Sequence, residues 1–287
     1  QNPNLKIAIL ERGSNVLSKV KISGGGRCNV THAEFIPDEL VLNYPRGKKE
    51  LRGPFHNYMT GDTMQWFEER GVPLKIEEDG RVFPVSNSSQ TIIDCFLEEI
   101  KIHKIEVLLN HSVQGISNEN NTWELNTTKG VFRSPKLLIA TGSNPKIWKL
   151  LESLGHQVIS PVPSLFTFNS KDIRIKDLMG LSKEASVEIV GTKLRSEGPL
   201  LITHWGLSGP GILKLSAWGA RELAAMNYHF TIRVNWLLDK SVDETMEDLM
   251  SLKNKFAKQS PHTYAQFDLP KRLWQNLLIA SGITEGT

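Results

Sequence analysis

The sequence predicts an α/β protein of about two domains, and three observations point there. The apolar run Leu5-Lys6-Ile7-Ala8-Ile9-Leu10 ends in Glu11, as a buried parallel strand would. Capped amphipathic stretches then alternate with short strand-like runs as far as Gly155. Beyond Pro161-Val162-Pro163 the pattern turns β-rich and then helical, which reads as a second unit behind a linker. A chain of 287 residues is long enough for both.

Gln1–Asn4 reads as a turn before the first strand. A strand buried in a parallel sheet needs neighbours on both sides, so further residues are expected before Gln1. The glycine-rich stretch Lys19–Thr31 follows. A helix is expected from Thr60 to Arg70, with Asp62 capping its start and Gly71 stopping it. Asp79-Gly80 between Leu74–Ile76 and Arg81–Phe83 is a hairpin signal. From Thr91 to His103, Ile92, Ile93, Phe96, Leu97 and Ile100 share a helical face. Residues 105–109, 113–116, 122–126 and 131–133 read as short strands of a meander. Leu137–Ala140 is a continuous apolar run, expected as a strand buried on both faces, and Asn144-Pro145 fits a helix start. In the second unit, 185–190, 200–203 and 228–235 read as strands. The last fifty residues read as helical, with Met246, Leu249, Met250 and Phe256 on one buried face.

Composition excludes several classes. The chain is 39% apolar and 23% charged, which is the balance of a folded protein rather than a disordered one. It has no apolar run of membrane-spanning length and no signal peptide, so no membrane association is expected and the cytoplasm is the default compartment. Thirty-four basic against 31 acidic residues give a net charge of +3, too small to argue for nucleic acid as a partner. Two cysteines, Cys28 and Cys95, exclude a disulfide scaffold and a thiolate zinc site, and His103, His111 and His156 show no metal spacing.

Two features carry chemistry. Glu11 stands where the second strand of a dinucleotide-binding fold ends in an acid whose carboxylate accepts the ribose hydroxyls. The matching glycine-rich phosphate loop, about 20 residues earlier, would fall before Gln1. Taken alone, Glu11 reads first as an ordinary surface glutamate after a strand, and the glycine-rich stretch is what shifts that reading. Ser23-Gly24-Gly25-Gly26-Arg27-Cys28-Asn29 offers bare backbone that approaches a ligand closely, with Arg27 as a cationic fork. A mobile loop is the other reading of three glycines. Cys28 reads either as a redox thiol beside Arg27 or as a small packing residue, and Cys95 as core.

The motif Lys21–Thr31 resembles the signature of the BaiN-like (YhiN-type) bacterial flavoproteins. Gly80–Pro84, Ala140-Thr141-Gly142, Thr203–Gly211 and Leu269–Trp274 match the same family in the same order. The resemblance implies FAD on a Rossmann-like domain, interrupted by an insertion with a β-barrel-like part and a helical part. The implied division is 1–163 for the FAD-binding portion, 164–236 for the β-rich insertion and 237–287 for its helical part. Three departures stand out. The family opens with a strand and phosphate loop, closes with a segment that completes the FAD domain, and carries a glycine where Ser143 stands here.

By resemblance, Glu11 holds the adenosine ribose, Ser23 to Asn29 line the cofactor cleft, Val113 contacts adenine through its backbone, and Ala140, Thr141 and Gly142 end a strand beside the flavin. His204 and Trp205 either face the flavin from the insertion or pack within a tight turn. The implied activity is FAD-dependent hydride transfer to or from a small organic substrate, with NAD(P)H or oxygen exchanging the other electrons. No catalytic acid or base stands out. A non-catalytic scaffold, or a fragment unable to hold cofactor, is the alternative, and a nucleotide-dependent methyltransferase is a more distant one. With both family ends missing, an empty cleft and dimerisation through an exposed sheet edge are expected.

Overall fold

The computed structural model describes residues 5–238 and 240–284. The turn expected at Gln1–Asn4 lies outside them. The chain divides into two compact units, Gln1–Ile159 and Ser160–Thr287, with the boundary beside Pro161–Pro163.

In the first unit, β1 (Ala8–Leu10) is followed by α1 (Ser18–Ile22) and a 3-10 turn at Ser23–Gly26. Next come β2 (Thr31–His32), α2 (Pro37–Leu40), α3 (Lys48–Asn57) and α4 (Thr60–Glu68). The hairpin signal at Asp79-Gly80 joins β3 (Leu74–Ile76) to β4 (Arg81–Pro84), antiparallel, with β2 on the other side of β4. Gly80 sits at φ +80°, the left-handed backbone that favours glycine in this turn, and a β-carbon there would also press on the His32 ring at 2.6 Å. Asp62 does cap α4, from inside: its Oδ2 accepts the Met59 N–H at 2.8 Å.

The following helix, α5 (Ser89–Ile102), begins at Ser88, whose Oγ accepts from the Gln90 N–H. Ile92, Ile93 and Cys95 are buried, but Leu97 is 39% exposed and leaves the expected face. Ile92 and Cys95 join Cys28, Phe67 and Val72 in a small core, and Ser89 Oγ ties α5 to α1 through the Lys21 carbonyl at 2.8 Å. β5 (Glu106–Leu108) then pairs parallel with β1, in register Ala8↔Glu106 to Leu10↔Leu108. The expected meander forms as β6 (Val113–Glu119), β7 (Thr122–Thr127) and β8 (Gly130–Ser134). Leu137–Ala140 does not become a strand. No described strand pairs with it, so it has no ladder to bury it, and Leu138 stands 88% exposed. α6 (Pro145–Ser153) starts as expected, with Asn144 Oδ1 accepting from the Lys146 N–H and Pro145 opening the helix.

The second unit is built on β9 (Phe168–Asn169), β10 (Ser182–Ile189), β11 (Arg195–Ile202), β12 (Gly206–Ser208) and β13 (Ile232–Asn235). They form one antiparallel sheet in the order β13-β10-β11-β12-β9. The sheet curls until its edges meet: Phe168 on β9 and Phe230 just before β13 stack edge-on, centroids 4.9 Å apart. α7 (Pro210–Trp218), α8 (Ala220–Ala225) and α10 (Lys271–Ala280) complete the core, with Ile212, Leu215, Leu223 and Leu273 fully enclosed. α9 (Val242–Lys255) overturns the expectation of a buried apolar face. It has no buried residue, and Met246 and Met250 are 58% and 50% exposed. The core seats are taken by α7 and α10, and a Ser241–Glu244 capping box holds α9 at its start. Among the described residues, no helix is long and apolar enough to cross a membrane.

Candidate functional site

Glu11 is positioned by the parallel strand pair. Its N–H continues the ladder to the Leu108 carbonyl and its carbonyl accepts from the His111 N–H, both at 2.9 Å. The chain then folds back, and the Gly13 N–H donates to Glu11 Oε1 at 2.6 Å. That charge-assisted bond fixes the half-buried carboxylate in one orientation. An ionised carboxylate has about four lone-pair sites. No protein donor meets Oε2 among the described residues, so it stays open to a hydroxyl. The Asn110 N–H bonds to the Gly13 carbonyl at 3.0 Å, which brings the approach to Val113, at the start of β6, against this turn.

The turn leads through α1 into the glycine run. Gly24, Gly25 and Gly26 have φ of +54°, +67° and +85°, all left-handed. They are not equivalent. A β-carbon on Gly24 would lie 2.8 Å from the Asn29 nitrogen and 3.1 Å from the Phe83 ring, whereas on Gly25 or Gly26 it would meet nothing within 4 Å. Packing explains the first glycine only. The other two present bare backbone to open space.

The polar neighbours are mostly engaged within the protein. Arg27 does not offer a free fork: its guanidinium holds Glu77 Oε1 at 2.6 Å and stacks 3.9 Å over Phe83. Ser23 Oγ donates to the Val20 carbonyl at 2.8 Å, and Asn29 Oδ1 accepts from the Val82 N–H at 3.3 Å. Of the two readings of Cys28, packing holds, because its side chain is buried beside Phe67 and Ile92. Burial pushes the Cys95 thiol up, with Glu99 adding to the effect.

Ala140, Thr141 and Gly142 are exposed. Gly142 has φ +61°, and a β-carbon on it would sit 3.4 Å from Lys19 Nζ. The segment therefore reaches α1 next to the glycine run. Lys19 was missed by sequence reasoning, since one lysine among 34 basic residues carries no signal until the fold brings it to Gly142. Its ammonium has no ion pair among the described residues. In the second unit, His204 and Trp205 stand in the tight turn between β11 and β12, with His204 exposed and Trp205 packed only in part, 43% exposed. Among the described residues, no group of three His, Cys, Asp or Glu side chains could hold a metal ion.

The chain is 25% identical to "Ribosomal RNA dihydrouridine synthase" of Haemophilus influenzae, over 97% of this chain and 69% of that protein. The Escherichia coli protein of the same name is also 25% identical, over 95% of this chain and 67% of its own length. "3-Dehydro-bile acid delta(4,6)-reductase" of Clostridium scindens is 21% identical, over 98% of this chain and 70% of that protein. The model of the HI0933-like protein Rossmann domain matches residues 1–285. With that match spanning nearly the whole sequence, the chain belongs to the HI0933-like Rossmann domain family.

Proposed function

We propose that this chain is the FAD- and substrate-handling part of a flavoprotein reductase that saturates a carbon–carbon double bond conjugated to a carbonyl. The observation that carries the cofactor reading is the Glu11 carboxylate, fixed by the Gly13 N–H and open at Oε2, fourteen residues before the first of two unobstructed left-handed glycines. These residues fit a nucleotide cofactor. Glu11 accepts ribose hydroxyls, Gly25 and Gly26 allow close approach, and Lys19 adds a positive charge suited to a diphosphate. When bound, FAD supplies two-electron hydride chemistry, with NAD(P)H as the source of electrons. The protein's share is to hold the nucleotide in one pose and so fix where the reactive ring lies.

The substrate class follows from what the two kinds of relative share. Dihydrouridine is uridine with the double bond of its ring, conjugated to a carbonyl, saturated. A delta(4,6)-reductase by name removes carbon–carbon double bonds. A small conjugated carbonyl compound is the substrate proposed here, in keeping with the modest net charge of +3.

The test starts with denaturing extraction of the purified full-length protein, which should release FAD. The bound flavin should bleach with NAD(P)H and recover its colour on adding an unsaturated ketone. Recovery only with uracil-containing RNA would replace the small substrate by RNA. S-adenosylmethionine, or no nucleotide at all, would overturn the cofactor reading.

A further inference from the structure

The connection between β11 and β12 carries two aromatic side chains that the core of the second unit does not use. Trp205 is 43% exposed and His204 is exposed. Their rings stand 4.2 Å apart, centroid to centroid, at 79°. The part of an indole left in water is apolar surface of a kind that folding normally removes.

This tip is held still. The Trp205 indole N–H donates to Thr167 Oγ1 at 3.2 Å, and its carbonyl accepts from the Ser170 N–H at 2.9 Å. The Thr203 N–H donates to the Gly206 carbonyl at 2.8 Å, and the Gly206 N–H returns to Thr203 Oγ1 at 3.2 Å. Gly206 has φ +150°, and a β-carbon there would lie 2.2 Å from the Phe168 carbonyl oxygen and 2.5 Å from the Ser170 nitrogen. The backbone therefore admits only glycine, and Trp205 is anchored through both its ring nitrogen and its backbone carbonyl. An aromatic surface ordered in advance binds a flat ligand without a further ordering cost.

We propose that Trp205, flanked by His204, is a stacking platform for a flat, conjugated six-membered carbonyl ring. The proposal deepens the reductase reading and takes its substrate class from that reading. A ring with a double bond conjugated to its carbonyl is flat there and lies against an indole face. Saturating that bond turns two trigonal carbons into tetrahedral ones, and the ring puckers. The product then loses face-to-face contact while keeping its carbonyl. A stacking platform would thus hold the unsaturated substrate and let the saturated product go.

The experiment measures affinities by saturation-transfer NMR on the full-length protein. The probes are uridine, 5,6-dihydrouridine, androst-4-ene-3,17-dione and 5α-androstane-3,17-dione. At least one unsaturated probe should bind about 5-fold or more tighter than its saturated partner, and which one does so identifies the source of the ring. Trp205→Leu should weaken that probe by about 5- to 150-fold, the equivalent of roughly 1–3 kcal/mol of stacking. Trp205→Phe should restore most of the loss. Equal affinities within both pairs, or a Trp205→Leu change below about twofold, would overturn the platform. If Trp205→Leu fails to fold, the wild-type selectivity and the Trp205→Phe variant decide the matter. Flavin content is read on the same samples. Normal FAD with no ring selectivity removes the platform alone, whereas ring selectivity without FAD removes the reductase reading alone.

Discussion

Both units of the molecule contain a glycine-dense segment, and the two have opposite physical causes. In the second unit, a β-carbon on Gly206 would collide with the Phe168 carbonyl at 2.2 Å, and one on Gly209 with the Pro199 carbonyl at 2.5 Å. Those glycines exist because strands and helix start are packed tightly there. In the first unit, Gly25 and Gly26 adopt left-handed backbone with nothing in front of them. Neither crowding nor core packing accounts for two such residues in a row. A glycine with no room for a side chain is explained by the fold. One that has room is explained by its turn, as Gly71 is at the end of α4, and what sets Gly25 and Gly26 apart is that two of them in succession leave bare backbone facing open space.

The largest expected effect breaks the crowded segment. Gly206→Ala should destabilise the second unit by roughly 4 kcal/mol or more, because backbone on both sides must move. Urea denaturation followed by tryptophan fluorescence measures it, and an unchanged midpoint would make the two glycine segments alike after all. Glu11→Ala comes next and leaves folding nearly intact. Each charge-assisted bond to a ribose hydroxyl contributes about 1.5–3 kcal/mol, so FAD affinity in the full-length protein should fall by roughly 10²–10⁴-fold. An unaltered cofactor titration would remove Glu11 from the site.

Gly25→Ala sharpens the contrast further. It should cost only about 1 kcal/mol of stability, the penalty for an alanine in left-handed backbone, while the added methyl group obstructs the cofactor. Equal losses of stability and of FAD binding would show that this segment too is architectural.

The smallest effect concerns acid. In each unit an aspartate is gripped by the arginine two residues on: Asp79 by Arg81 and Asp172 by Arg174. The Arg174 side chain holds the Asp172 carboxyl down from 3.8 to about 2. A depressed carboxyl pKa stabilises the fold above its unfolded value, and that stability is lost as pH falls from about 4 to 2. The pair is partly exposed to solvent, so the loss should be a few tenths of a kcal/mol. Arg174→Ala should abolish this part of the acid dependence in thermal melts between pH 4 and 2. A slope that survives the substitution would assign it to other carboxyls.

Local signals in the sequence were the readable ones. Asp79-Gly80 announced its hairpin and Asn144-Pro145 its helix, because turn and cap chemistry is contained in a few neighbouring residues. The apolar run ending in Glu11 became a strand only over Ala8–Leu10, and with β5 as its one partner among the described residues it is not buried as expected, Ile9 standing 39% exposed. Periodicity proved a weaker guide. It marked α9 and Leu137–Ala140 as apolar correctly, but an apolar pattern does not say whether a partner exists, and both remain exposed. Long-range pairings left no trace: nothing near Arg27 reveals that Glu77, fifty residues on, takes up its charge. The exposure of Trp205 was equally hidden, since it depends on where Gly206 forces the chain.

The β1–β5 pair also sets a timetable for folding. β10 and β11 pair across one short connection, so that hairpin can close early and with little loss of chain entropy. β1 must instead wait for a partner about a hundred residues further along the chain. During synthesis at about 5–20 residues per second, the Glu11 turn is thus without its anchoring strand for roughly 5–20 s after it emerges. Throughout that interval the unpaired backbone of Ile7–Leu10 remains available to chaperones or to neighbouring nascent chains. The ribosome's pace, as much as the final contacts, governs how safely this strand pair is made.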